Sequence, residues 1–344
     1  MAYNILTILD TIRDNGSLEY SSRVPSATDS KLDTIGQAIL SYSATTNEFL
    51  NQLVNRIAMT MIDQKIINNP LSPLKKGGIP LGQDIEHLFV NPANGESYAS
   101  NSTDLLTVKT PDVKSTFYRL NRQDKFTVSI YRQQLVQAFT SETAMSQLID
   151  YIVQSLYSGD NFQEFILMKN LMSRAVHNNH LVKVNVFDEN ATGFVYSDIT
   201  SKEIVKQVKT YSKMFTFPSS NYNKYSTVKG SGDPVITWTP VEDQILILNA
   251  GLSATIDVDV LAYAFQLDKM NMPTIIEVDD FGDEPVLAIL TDKSFFQVYD
   301  NDKNVDSFYN PDTRAFKYFL HHWQTYAYNL YANAVALTYT PKTV

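Results

Sequence analysis

The stretch SETAMSQLIDYIVQSLYSGDNFQEFILMKNLMSRAVHN, residues 141–178, decides how the rest of the chain is read. Apolar side chains fall at Met145, Leu148, Ile149, Ile152, Val153 and Leu156. That spacing is one stripe along an α-helix. Thr140 and Ser141 stand ahead of it as candidate N-caps, because a hydroxyl oxygen there accepts from the free first-turn N–H groups. Gly159 interrupts the pattern, at a cost of about 1 kcal/mol against alanine inside a helix. The apolar residues then resume out of phase at Phe162, Phe165, Ile166, Met172 and Val176. The stretch is expected to form one long helix, bent or locally overwound near Gly159, or two helices end to end. A continuous helix would run ~57 Å at the usual rise, whereas globular helices average about 11–12 residues. Such a helix is a spine for a flat or elongated body, and it carries no chemistry of its own.

Composition narrows the function classes. At 344 residues the chain is long enough for about two domains. Hydrophobic residues make up 44% of it, which places it among folded proteins. Only 19% of residues are charged, while there are 20 Tyr and 18 Phe. A surface short of charge and rich in Tyr suits extensive protein contact. The net charge of −9 argues against a general nucleic-acid binder, since phosphate binding needs concentrated Lys and Arg. The chain has no cysteine, which excludes disulfides, thiolate metal sites and cysteine nucleophiles. The opening MAYNILTILDTIRDN carries an early acid and no small-residue cleavage pattern, so no secretory signal is expected. No apolar run approaches the ~20 residues of a membrane span.

Around the spine the chain divides by pattern. Residues 1–81 read as an extended N-terminal arm with short helices, and a linker. Ser, Thr and Asn are frequent over 17–46, with little to bury, and a helical stripe follows at Phe49, Leu50, Leu53, Ile57, Met61 and Ile62. Three prolines and three glycines between Pro70 and Gly82 make that stretch a hinge. Residues 82–135 read as an extended flap, a long β-hairpin with Asn94-Gly95 in a turn and alternation from Phe126 to Ile130. Arg119, Arg122 and Lys125 give the flap local positive charge, either a solvated strand face or candidate ion-pairing contacts to an acidic neighbouring subunit. Residues 191–290 form a separate lobe. Residues 136–190 and 291–344 supply the spine and return strands. Val182, Val184 and Val186 share one strand face, residues 200–214 form a helix, 217–234 a long surface loop, and 241–249 a buried strand. Strands at 274–278 and 286–290 flank the acidic turn 279–284, and a final β run starts at Phe295. Helix and strand come in blocks, so the class is α+β.

Residues that could carry chemistry do not assemble into a site. There is no phosphate-binding glycine loop, zinc-protease helix or nucleophile elbow. Gly230-Ser231-Gly232 is a flexible turn. His177 and His180 could share a helix face around a metal, but a helix-end role beside carbonyls is the better reading. His321 and His322 point to opposite strand faces. Asp279, Asp280, Asp283 and Glu284 lack the alternating pattern of a calcium loop and read as an exposed turn. The sequons at Asn101 and Asn190 are set aside without a secretory signal. No catalytic, cofactor or metal residues are assigned, and the chain is not expected to be an enzyme.

Five stretches carry a resemblance. They are residues 78–86 (GIPLGQDIE), 118–126 (YRLNRQDKF) and 138–141 (AFTS), the pair 245–248 (ILIL) with 257–262 (DVDVLA), and 323–326 (WQTY). In this order the chain resembles the major capsid proteins of tailed bacteriophages with the Hong Kong 97 fold, most of all those of small short-tailed phages. The likeness covers nearly the whole chain. It implies an N-terminal arm, an extended flap (E-loop), a peripheral domain on the spine helix and an axial domain. It also implies assembly as pentamers and hexamers into an icosahedral shell in the host cytoplasm, around double-stranded DNA held without sequence specificity. Scaffolding and portal proteins would be partners, and no membrane would be. A nanocompartment shell of the same fold, or a tail or receptor-binding virion protein, is the alternative.

Overall fold

A computed structural model describes residues 5–28, 30–60, 68–80, 82, 84–95, 108–139, 148, 152, 154–188, 198–230, 234–259, 274–282 and 284–340. Four helices open the chain: α1 (Ile5–Asn15), α2 (Leu18–Arg23), α3 (Leu32–Leu40) and α4 (Ser43–Thr60). A 3₁₀ turn at Ser72–Leu74 leads into β1 (Lys75–Gly78). Strands β2 (Ile85–Val90), β3 (Val113–Tyr118) and β4 (Arg122–Tyr131) follow, then helix α5 (Arg132–Ala138). A π turn, Gln154–Ser158, runs into the spine helix α6 (Gly159–His177). After β5 (Val182–Asp188) come helices α7 (Asp198–Phe215) and α8 (Tyr225–Lys229), strand β6 (Gln244–Asn249) and helix α9 (Ala250–Asp259). The chain ends on β7 (Thr274–Val278), β8 (Val286–Asp292), β9 (Phe296–Asn310), β10 (Ala315–Tyr328) and β11 (Ala334–Thr340). The class is α+β, as expected. No helix among the described residues is long and apolar enough to cross a membrane.

Two compact units divide the chain. The first comprises Met1–Asn69, Arg122–Glu164 and Asn301–Trp323, and the second Pro70–Asn121, Phe165–Asp300 and Gln324–Val344. The first boundary falls at Pro70, where the proline- and glycine-rich hinge begins. The hinge itself is not loose, because Leu71 and Leu74 are buried in the second unit.

Residues 5–60 form helices, as expected, but they do not have little to bury. Leu9, Ile12, Tyr20, Ile35, Ile39, Phe49, Leu50 and Leu53 are all buried in the first unit's core. The frequent Ser and Thr residues serve that packing. Ser17 caps α2 by accepting from the Tyr20 N–H, and buried Thr46 donates to the Ile39 carbonyl at 2.7 Å. Helix α3 lies so close to Phe139 that a Cβ on Gly36 would meet the Phe139 Cβ at 2.6 Å. The same core takes Val128 and Ile130 from β4 and Phe316, Tyr318 and Leu320 from β10, which lies beside β4. Leu148, Ile152 and Leu156 of the spine stripe are buried there too, while Met145, Ile149 and Val153 lie outside the described residues.

The out-of-phase spine has a definite cause. Ahead of Gly159 the helix is not overwound but widened into a π turn, which takes up the extra residue and rotates the apolar face. Beyond it, Met168, Leu171, Met172, Ala175 and Val176 pack in the second unit's core.

That unit is built on a five-stranded sheet of order β5-β11-β8-β6-β7. Strand β11 runs parallel to β5, β8 antiparallel to β11 and β6, and β7 parallel to β6. One face, with Ile245, Ile247, Ile276 and Ile289, shares a core with α6. The other, with Leu246, Leu248, Leu290 and Leu337, packs on Ile204, Val208 and Phe215 of α7. Covered on both faces, β6 reads as a continuous apolar run and not as an alternation. Val182, Val184 and Val186 of β5 pack together on the α7 side, as their spacing predicts. The expected loop over 217–234 contains the short helix α8.

The contact at Gly36 decides the sign of one substitution. Alanine raises helix propensity by about 1 kcal/mol, but overpacking costs about 1–3 kcal/mol. Gly36→Ala is expected to lower the urea midpoint, against the propensity rule.

Candidate assembly surface

Strands β2 and β3 pair antiparallel, with Ile85 opposite Tyr118 and Val90 opposite Val113. Their side chains alternate, so the hairpin has two unlike faces. Ile85, His87, Phe89, Lys114, Thr116 and Tyr118 face inward. The Phe89 ring stacks on Tyr331 with centroids 5.1 Å apart, and the hydroxyls of Thr116 and Tyr331 are hydrogen-bonded at 2.8 Å. Burial holds the His87 imidazole below its ordinary pKa. The outer face carries Leu88, Val90, Val113 and Phe117, each more than half exposed, with Glu86 and Ser115 among them. Four large apolar side chains in water on one small ribbon mark an interaction surface.

The loop end of the hairpin, where β2 leaves and β3 begins, is latched to the second unit's body by the Asn91 side chain. The Asn91 amide donates to Asp112 at 2.6 Å and to the Pro234 carbonyl at 2.9 Å, and its oxygen accepts from the Ile236 N–H at 3.0 Å. These three bonds use most of the capacity of one amide. Strand β4 belongs elsewhere. Its alternation predicts the far arm of a long flap, but β4 lies beside β10 in another sheet, so the described hairpin ends at Tyr118. Residues 96–107 lie outside the described residues.

The three sequence-predicted cations have different fates. Arg119 is exposed and pairs with Asp84 of its own chain at 2.8 Å. Lys125 is exposed, with its ammonium 5.5 Å from the Phe319 ring centroid. Arg122 is not a surface cation. Its side chain is 4% exposed, donating to Asp124 at 2.6 Å and to Asp160 at 3.2 Å. The reason is parity: Arg122, Asp124, Phe126, Val128 and Ile130 share one strand face, the one turned to the core. The register of the apolar residues therefore already placed Arg122 inside.

Arg122 thus belongs to a buried ionic cluster that sequence reasoning missed. Asp160, in the first turn of α6, has no exposed surface. It accepts from His322 Nδ1 at 2.7 Å and lies 2.8 Å from the Lys303 ammonium. Burial works against its charge, but the His322 hydrogen bond and the Lys303 charge outweigh this and hold its carboxyl down at about 2. Nearby, buried Glu164 accepts from Asn69 at 2.8 Å. These residues lock elements together and offer no open position for a substrate.

The remaining candidates are engaged singly. His177 sits 3.0 Å from Glu284, while the His180 ring packs edge-on against Tyr328, so the two do not converge on a metal. His321 lies 3.7 Å from Asp306, on the opposite strand face from His322. Asp279 and Asp280 are both 2.8 Å from the Lys169 ammonium, which fills the place a cation would take and holds the Asp280 carboxyl below its ordinary range. Gly230 ends α8 with a positive φ of 66°. Ser231, Gly232, Asp283 and both sequon asparagines lie outside the described residues.

Over residues 9–338 the chain matches the family described as Phi29-like phage major capsid protein. The chain belongs to that family. The major capsid protein of Bacillus phage PZA is 30% identical over 333 residues, covering 96% of this chain and 72% of that one. That of Streptococcus phage Cp-1 is 25% identical, covering 95% and 92%. In fold, the chain is similar to the capsid of Staphylococcus phage Andhra, with a TM-score of 0.65 at 14% identity over 82% of this chain and 87% of that one. The mature capsid of bacteriophage PhiM1 gives 0.54 at 6% identity, over 81% and 90%. This is a phage major capsid protein with the Hong Kong 97 fold, a structural protein of the virion that assembles into oligomeric shells.

Two predictions concern the capsid protein's own fold. Asp160→Asn leaves Arg122 and Lys303 without their shared carboxylate, and removing one partner of a buried pair costs about 3–5 kcal/mol. Because the Asp160 pKa is depressed on folding, its stabilisation is present above the unfolded value near 4 and is lost as pH falls toward about 2. In urea titrations the gap between wild type and Asp160→Asn should be widest above pH 4 and close toward pH 2. Asn91→Ala should unlatch the loop end of the hairpin, so amide exchange in β2 and β3 accelerates while the five-stranded sheet stays protected.

Proposed function

We propose that the protein forms an icosahedral shell of pentamers and hexamers around packaged double-stranded DNA, and that hairpin β2–β3 is the flap by which one copy grips the next. The observation that carries this reading is the two-faced hairpin. Its inner face is satisfied within the chain, while Leu88, Val90, Val113 and Phe117 remain in water. A partner that covers them gains about 25 cal/mol for each Å² of apolar area removed from water. In a closed shell the same contact recurs at every copy, so modest interfaces sum to a stable particle. Arg119 and Lys125, both exposed, are further charged contacts in this reading, and exposed ion pairs contribute only about 0–1 kcal/mol each. In this reading residues 191–290 form the axial part of the subunit, and residues 136–190 with 291–344 the peripheral part. The net charge of −9 suits a wall that faces DNA without trapping it. Assembly takes place in the host cytoplasm with scaffolding and portal proteins.

The test pairs Leu88→Asp with Phe117→Asp. Both side chains are exposed in the isolated chain, so circular dichroism and the melting temperature should hold, while closed shells vanish from negative-stain micrographs. Normal shells from this variant would remove the flap from the contact. Reversing Arg119 and Lys125 to Glu should have a smaller effect that shrinks further with added salt.

A further inference from the structure

The first unit holds a cleft of about 590 Å³ between α5 and the turn joining β9 to β10. Arg132 and Arg314 line it with Tyr131, Val136, Gln137 and Thr313. Neither arginine has an ion-pair partner among the described residues, and both are exposed. Their placement is nevertheless definite. Arg132 donates from its guanidinium to the Leu40 carbonyl at 3.1 Å, and its backbone N–H donates to the Arg314 carbonyl at 3.3 Å. Arg314 has a φ of 48°, in the left-handed region that a side chain of its size rarely enters. Tyr131 is 54% exposed and Val136 47%, so two apolar groups stand in water beside two unpaired cations.

We propose that this cleft is a docking site for a short acidic, amphipathic segment of a second protein, its carboxylates meeting Arg132 and Arg314 and its aliphatic side chains covering Val136 and Tyr131. A guanidinium presents paired donors that match a carboxylate. A nucleic-acid strand fits less well: two arginines on an acidic chain are a weak phosphate site, and Val136 gives a phosphate backbone nothing to pair with. A second copy of this chain, whose exposed acids include Glu86, is the other occupant, and the experiment separates the two. Cleft binding and flap-driven shell growth use different residues, so either can fail without the other.

The experiment uses the full chain, unassembled, titrated by fluorescence anisotropy. The probes are a labelled peptide of alternating Glu and Leu, its Gln-for-Glu analogue, and an oligothymidylate. The Glu peptide should bind, and the analogue should bind roughly three- to tenfold more weakly, the worth of two exposed ion pairs. The Arg132→Gln/Arg314→Asn double variant should reduce the Glu peptide to the analogue's affinity. Arg314→Asn alone, a residue that tolerates positive φ, should give a partial loss and guards against misfolding through the lost Leu40 contact. Val136→Glu should also abolish binding. Equal affinity for the two peptides, unchanged binding by the double variant, or displacement of the peptide by the oligothymidylate would overturn the proposal. So would a double variant that forms no shells when the wild type binds neither peptide, since that outcome assigns the cleft to a second copy.

Discussion

A carboxylate with no exposed surface cannot persist as an ion unless the protein replaces the water it has lost. Asp160 meets that condition by drawing Arg122 from β4, Lys303 from β9 and His322 from β10 onto the first turn of the spine helix. Each of those elements also has an apolar reason to pack where it does, because Val128, Val305, Leu320 and Leu156 share one core. Apolar burial fixes which face of a strand turns inward, but it tolerates a shift of a few tenths of an ångström at modest cost. An ion cluster does not. Displacing β4 by one residue would send Arg122 to solvent and leave Asp160 short of a donor. The cluster is therefore the feature that admits only one register for the strands and one rotation for the helix.

The π turn belongs to the same constraint. A helix with apolar residues in two phases cannot present both to packing partners while keeping one regular winding. Widening one turn between Gln154 and Ser158 takes up the offset. It sets Leu156 and Tyr157 in the first core and leaves Asp160 at the start of the regular helix that follows.

How much of this was legible follows from the range of the interactions. Local periodicity was readable: the phase break at Gly159, the shared face of Val182, Val184 and Val186, and the buried run of β6. The helices of residues 5–40 were harder, because each contributes only a few buried residues and its Ser and Thr side chains look like loop composition until their cap and carbonyl bonds are seen. The union of Asp160 with His322, 162 residues apart, has no local signature at all. Arg122 lies between these cases. Its place inside was written in the strand parity, but a cation in an alternating strand invites the opposite reading, since charges are buried only when paired. Of the assembly surface, a β-hairpin could be read, but the alternation read for it, Phe126 to Ile130, belongs to β4 in another sheet. Which face of the hairpin stays wet could not be read, because that depends on Tyr331, more than 200 residues downstream.

The hairpin also shows why a subunit can afford an apolar face in water. A two-stranded ribbon is marginal alone. Had both faces of β2–β3 been free, exposed Leu88 and Phe117 would favour collapse onto whatever apolar surface lay nearest. Holding the inner face on Tyr331, and the loop end through Asn91, fixes the outer face as a rigid, outward template. The ordering entropy of the ribbon is then met on folding and not on assembly, so the contact with the next copy keeps more of its apolar gain. Rigidity also limits the partner. A presented strip of Leu88, Val90, Val113 and Phe117 with one acid, Glu86, fits a surface of matching shape and excludes a merely sticky one. That selectivity is what a shell needs, because every copy must meet its neighbours in the same few ways for the particle to close.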